Sequence, residues 1–335
     1  MNNLLDPAVL FFVFGVLAGT MKSNLEIPQP ISRFLSLYLL MALGLKGGFA
    51  LAHSGFTPTV AAGLVAAISL AIVVPLIGFA LLRRIVSGFD AAALAATYGS
   101  VSAVTFLTAV QYLESQEIAY GGHMAAAMAL MESPAILLAV LLANLLRRQA
   151  AGSAGLRPGG AAVLTMPAPS GGLPLGKVLH DALTDGAQLL LLGAMAIGMI
   201  TGEAGQVAMQ PFSGDLFKGM LAFFLLDMGL MTARSLPQLR GNSPWLLGYA
   251  VLAPVVHACM ALVLAWGLRL SVGDGVLLTV LAASASYIAV PAVVRYAIPE
   301  ANPSVYFALS LGVTFPMNII VGIPVYAAAG RLVLG

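Results

Sequence analysis

Apolar residues run in long stretches along this chain, and polar positions gather into short interruptions between them. Breaking the pattern at charges, Gly and Pro predicts ten helices. They lie near residues 7–21, 32–52, 58–84, 89–112, 122–147, 177–202, 214–233, 244–268, 274–297 and 303–330. Each is close to the roughly 20 residues that carry a helix across the hydrocarbon core of a bilayer. No basic residue precedes the first apolar run, so it reads as a retained span and not a cleaved signal peptide.

Composition narrows the class. Of 335 residues, 60% are hydrophobic and only 8% are charged, where a soluble domain carries about 25% charged residues. That excludes an ordinary soluble enzyme, a nucleic-acid binder and a disordered chain. What remains is an all-α polytopic membrane protein. Cys259 is the single cysteine, so an internal disulfide and a Cys-based metal site are both excluded. Lying in an apolar run, it reads as a small core residue. The chain has no HExxH, no Gly-x-Ser-x-Gly and no Cys/His cluster, so no enzyme is indicated.

The few basic residues orient the spans. With the N-terminus outside, the cytoplasmic segments hold Lys22, Arg33, Arg83, Arg84, Arg147, Arg148, Arg157, Lys177, Arg234, Arg240 and Arg295. The outer segments hold only Lys218, Arg269 and Arg331, and Lys46 falls within a span. The bias predicts both termini outside. Residues 148–176 are then a cytoplasmic linker, rich in Gly, Ala, Pro and Ser and without helical period. Gly171 through Lys177 resembles a phosphate-binding loop. The next residue is Val178, where Ser or Thr is needed, and no strand precedes it, so a Gly-rich linker meeting a helix is the better reading.

The linker divides the chain into residues 1–147 and 177–335, with five spans each. An odd number of spans turns the second half over in the membrane, the plan of an inverted repeat. Residue matches support it. Ser87-Gly88-Phe89-Asp90 and Ser271-Val272-Gly273-Asp274 each read as a helix N-cap, 184 residues apart, and at the same offset Ser100-Val101-Ser102 matches Ser284-Ala285-Ser286. Gly15/Gly19 and Gly198/Gly202 form GxxxG pairs, read as helix or subunit contacts or as close packing within one chain.

The candidate chemistry lies where spans four and nine carry Ser-x-Ser beside a helix-weakening residue, Gly99 in one and Pro291 in the other. Both helices are expected to break there, near the midplane. Irregular backbone at that depth is tolerated only around a protein-lined cavity. Each exposed N-terminus carries about half a positive charge and free N–H groups. Two such ends suit a small monoanion without any buried Arg or Lys, and the hydroxyls of the serines and Thr105 add donors. Of the ionisable residues, Glu132 in span five precedes Ser133-Pro134, with Thr314 and Asn318 in the matching stretch of span ten. This set suits a coupling cation such as sodium, or closes the proline kink structurally. Lys46 and Asp227 lie on counterpart spans and are expected to meet as a salt bridge. His257 reads as a packed residue or a proton relay.

At these residues the chain resembles the cyanobacterial sodium-dependent bicarbonate transporter family, the SbtA type. The resemblance rests on Tyr98-Gly99-Ser100-Val101-Ser102 with Thr105, Met131-Glu132-Ser133-Pro134-Ala135, Ala253-Pro254-Val255-Val256-His257, Ala282-Ala283-Ser284-Ala285-Ser286, and the run from Ile298 to Ser304 followed by Tyr306. It implies ten helices as two inverted five-helix repeats, with helices four and nine broken. It further implies a homotrimer in the bacterial inner membrane and an elevator-like movement of spans three to five and eight to ten against spans one, two, six and seven. Bicarbonate would be held by Gly99, Ser100, Val101, Ser102, Thr105, Ala283, Ser284, Ser286 and Tyr287. Sodium would lie nearby at Glu132, Thr314 and Asn318, with no other cofactor. The chain departs from the family at Tyr287, where the pattern has an acidic residue, and at Glu132-Ser133-Pro134, where it has Asp before Ile-Pro. The family's cytoplasmic partner is a PII-like protein, but this linker is shorter and less charged. The rival readings are an importer of another small carboxylate coupled to sodium or protons, and a non-transporting membrane sensor.

Overall fold

A computed structural model describes residues 6–154, 180 and 184–335. The helices are α1 (Pro7–Thr20), α2 (Gln29–Ser54), α3 (Pro58–Leu82), α4 (Gly88–Gly99), α5 (Ala103–Ser115), α6 (His123–Ala154), α7 (Gly186–Gln210), α8 (Phe217–Ser235), α9 (Pro244–Gly267), α10 (Val272–Ala283), α11 (Ala289–Ala297) and α12 (Pro303–Leu334). No strand occurs among the described residues. Among the described residues, seven helical stretches are long and apolar enough to cross a membrane, one of them running from Gly186 through Leu239. The chain is a multi-pass helical membrane protein.

Sequence chemistry sets most boundaries. Asp6, Ser87, Ser102, Asp185 and Ser271 each accept a backbone N–H at the start of a helix, satisfying donors that have no partner inside the helix. The sixth helix differs from the expected 177–202. It starts at Gly186 because Asp185 caps it through the N–H groups of Ala187 and Gln188. It runs on to Gln210 because Gly202 adopts φ +53° and kinks the helix without ending it. Residues 148–154, expected in the linker, continue α6. The remainder of that linker, with Gly171 through Lys177, lies outside the described residues.

Close glycine contacts join two helix pairs. α1 packs on α8, where a Cβ at Gly15 would stand 3.1 Å from the Gly229 Cα. α2 packs on α7, where a Cβ at Gly198 would stand 3.1 Å from the Gly48 Cα and 2.7 Å from the Leu45 carbonyl. Gly15, Gly19 and Gly198 therefore serve contacts within one chain. A second group of helices surrounds α4 and α10: α3 packs on α4 and α6, and α9 packs on α10. Cys259 corrects an expectation, since it is exposed on α9 beside the exposed Val255, Val256 and Val263. In a bilayer the outward face is as apolar as the core, so an apolar run does not reveal which face is buried.

Candidate functional site

Two interrupted helices cross in the buried interior. α4 ends at Gly99, whose place is fixed by contact: a Cβ there would meet the Pro75 ring at 2.6 to 2.7 Å. Ser100 and Ser102 are extended, and α5 starts at Ala103. Ser102 Oγ caps α5 by accepting from the Thr105 N–H at 3.2 Å and the Thr105 hydroxyl at 2.9 Å. α10 ends at Ala283, Ser284 is extended, and α11 starts at Ala289. Ser286 Oγ accepts from the Val290 N–H at 3.2 Å. Pro291 sits in the first turn of α11, where a missing N–H removes no helical bond. It opens the second half-helix and does not distort an existing one.

The breaks are bonded to each other. The Ser286 N–H donates to the Thr97 carbonyl at 2.8 Å. The Ser102 N–H donates to Ser284 Oγ at 2.9 Å. Ser100, Ser102, Thr105, Ala283, Ser284, Ser286 and Tyr287 are all buried. A cavity of about 220 Å³ lies against the crossing, lined by residues 101–104 at the start of α5 and 286–289 at the start of α11. The first N–H groups of both half-helices thus border one space. Glu132, Asp185 and Gln188 line it as well, and among the described residues no Lys, Arg or His does.

The predicted cation residues do not gather in one place. Glu132 reaches the cavity and accepts from Gln188 Nε2 at 2.9 Å. The Thr314 hydroxyl donates to the Ala250 carbonyl at 2.7 Å and bonds the Tyr98 hydroxyl at 2.8 Å. Asn318 Nδ2 donates to the Ala283 carbonyl at 2.8 Å, and its Oδ1 accepts from the Tyr326 hydroxyl at 3.1 Å. Neither Thr314 nor Asn318 lines the cavity. Tyr287 does line it, and its hydroxyl points to the Met228 sulfur at 3.6 Å.

The expected Lys46–Asp227 bridge is absent. Lys46 Nζ pairs with Glu114 Oε1 at 2.9 Å, and Asp227 accepts from the Ser32 hydroxyl. Ser32 and Lys46 sit on the same helix, 14 residues apart, or about 21 Å along its axis. Asp227 therefore lies at the far end of α2 from Lys46. His257 is buried, and its Nδ1 has no partner among the described residues. Sequence reading missed Gln188 and Asp185. Their signal was an acidic N-cap three residues before Gln, close to a capping box, inside a stretch taken as continuous helix.

A multi-pass helical bundle with two interrupted helices crossing beside a buried polar cavity is the architecture of a membrane transporter. A family model described as the Na+-dependent bicarbonate transporter superfamily matches residues 7–331. The chain belongs to that family, whose members are transporters and not enzymes. No curated protein matches it.

Proposed function

We propose that this protein imports bicarbonate together with sodium across the bacterial inner membrane, with both termini outside. The observation that carries the proposal is the shared cavity. Two half-helix N-termini border it, supplying positive potential and N–H donors to a small anion. It also holds the carboxylates of Glu132 and Asp185 and, among the described residues, no cationic side chain. An anion entering beside two carboxylates is repelled unless a cation comes with it, so anion and cation binding are thermodynamically linked. Gly99, Ser100, Val101, Ser102, Thr105, Ala283, Ser284, Ser286 and Tyr287 form the anion neighbourhood in this reading. Glu132 is the side chain that meets sodium, and Thr314 and Asn318 brace the helices around it.

Ten spans in two inverted repeats, residues 1–147 and 177–335, fit the packing. Exchanging the halves maps the α1–α8 pair onto the α7–α2 pair and the α3–α4 pair onto the α9–α10 pair. The two first-turn aspartates, three residues after the serine caps, are exchanged in the same way. Asp90 Oδ1 accepts the Asn302 N–H at 2.7 Å, and Asp274 Oδ1 accepts the Gly121 N–H at 2.6 Å, each from the loop of the opposite half. The reading places spans three to five and eight to ten in a mobile core of an elevator and the remaining spans in a scaffold, assembled as a trimer. A PII-like regulator would meet the cytoplasmic linker.

The test is uptake of labelled bicarbonate into proteoliposomes with and without an inward sodium gradient. Sodium-driven uptake is expected. Uptake driven only by a pH gradient would replace sodium with protons at Glu132, and no uptake under either gradient would remove the transport reading in favour of a sensor.

A further inference from the structure

The two breaks carry matching residues but not matching hydrogen bonds. At the 184-residue offset, Thr97 corresponds to Leu281, Ser100 to Ser284 and Ser102 to Ser286. In one crossing the Ser286 N–H reaches the Thr97 carbonyl directly, at 2.8 Å. The equivalent direct bond, from the Ser102 N–H to the Leu281 carbonyl, does not form. The Ser284 hydroxyl stands between them, accepting from Ser102 at 2.9 Å and donating to Leu281 at 2.8 Å. A serine hydroxyl has one proton to give, and this one is already given.

Its counterpart is free. Ser100 is 1% exposed, and its Oγ has no hydrogen-bond partner among the described residues. A buried hydroxyl without a partner is costly. It sits one residue before Val101, which lines the cavity. Ser100 does not itself line the cavity, but it holds an unspent donor in the residue next to that lining, where Ser284 holds none.

We infer that the two serines have divided roles: Ser100 donates its hydroxyl proton to the bound oxyanion, and Ser284 is a positioning residue, a one-hydroxyl spacer that sets how the two breaks cross. This rests on the anion-site reading above and deepens it. The spacer holds the Ser102 backbone, and Ser102 caps α5, so loss of the Ser284 hydroxyl shifts one of the two N-termini facing the cavity. The site is then asymmetric although its sequence motif is repeated.

The experiment uses the full chain in detergent and in proteoliposomes, with Ser100→Ala, Ser284→Ala and Ser284→Thr. Thermal unfolding is first measured without bicarbonate. Ser284→Ala is expected to unfold at a lower temperature and to lose uptake rate. Ser284→Thr keeps the hydroxyl and restores both. Ser100→Ala is expected to unfold no earlier than the unaltered chain and to need about tenfold more bicarbonate for half-maximal uptake, as for loss of a hydrogen bond to a charged group.

Two results would overturn the division. One is a Ser284→Ala protein with unchanged ligand-free stability and a raised bicarbonate requirement. The other is a Ser100→Ala protein that is destabilised before any ligand is added. If Ser284→Ala does not fold, a Ser284→Thr protein of normal stability with a raised bicarbonate requirement overturns it equally. Should the unaltered chain take up no bicarbonate, the anion-site reading fails, while the ligand-free unfolding temperatures still decide whether Ser284 is the spacer.

Discussion

Gln188 of α7 donates to the Glu132 carboxylate of α6 at 2.9 Å, within the cavity that borders both breaks. A neutral amide is a weak partner for a carboxylate in an apolar space, and no cationic side chain among the described residues lines the cavity. A bound cation would complete the pairing. Glu132→Gln removes the charge and keeps the shape. The sodium concentration for half-maximal uptake should then rise at least about tenfold, or about 1.4 kcal/mol. A sodium titration of uptake that is the same for both proteins would take Glu132 out of the cation site.

Lys46 on α2 and Glu114 at the end of α5 join the proposed scaffold to the proposed core. Lys46 Nζ lies 4.3 Å above the Phe217 ring, and the Tyr120 hydroxyl also donates to Glu114 at 3.0 Å. The two side chains are 22% and 29% exposed, so the pair should contribute only about 0.5–1 kcal/mol. A double-mutant cycle with Lys46→Met and Glu114→Gln, read by unfolding at low and high salt, measures it. Coupling of that size, falling as salt rises, is expected. Zero coupling at low salt would make the contact incidental.

Much of the site was legible in the sequence, for local reasons. The Ser-x-x-Asp caps at Ser87 and Ser271 need only their own chain, and both hydroxyls accept the N–H three residues on, at 3.1 Å. The breaks could be placed because Gly99 weakens a helix locally and because Pro291 favours the first turn of a new helix. The partners of Lys46 and Asp227 were not legible, since they depend on the tilt and register of helices far apart in the chain. Nor was the exposure of Cys259, because lipid and protein core favour the same side chains. Gln188 was hidden by a composition that looked helical from Lys177 onward. The unequal bonding of Ser100 and Ser284 could not be read at all, because their motifs are the same.

Asn318 stands at a π turn of α12 and holds the last carbonyl of α10. That carbonyl has no partner inside its helix. Asn318→Ala would strand it in a buried setting, at a cost of about 1–3 kcal/mol. Asn318→Asp should be worse, since it sets a carboxylate oxygen against the Ala283 carbonyl where a donor stood. Unfolding temperatures should therefore run from the unaltered chain down through Ala to Asp. An Asp variant as stable as the unaltered chain, with altered sodium dependence, would return Asn318 to the cation site as a ligand.

Arg147 and Glu300 lock the end of α6 to the loop before α12. The guanidinium grips both carboxylate oxygens, at 2.8 and 2.7 Å, and also reaches the Ala297 carbonyl at 2.9 Å and Asn144 Oδ1 at 3.0 Å. The hydrogen bonds from Arg147 hold the Glu300 carboxyl below the usual carboxylate range. A carboxylate lowered in the folded state contributes its full stability above the unfolded value, near 4.3 for Glu. That contribution is lost as pH falls through the lower folded value. Glu300 is 38% exposed, so solvent screening limits it to about 1 kcal/mol or less. At about pH 7 the unaltered chain should unfold at a slightly higher temperature than Glu300→Gln, and the two curves should converge as pH falls through the lowered folded value. Arg147→Lys, which cannot form the two-pronged contact, should lose most of the same increment. Unfolding curves that stay parallel across that fall in pH would show that the pair contributes nothing to folding.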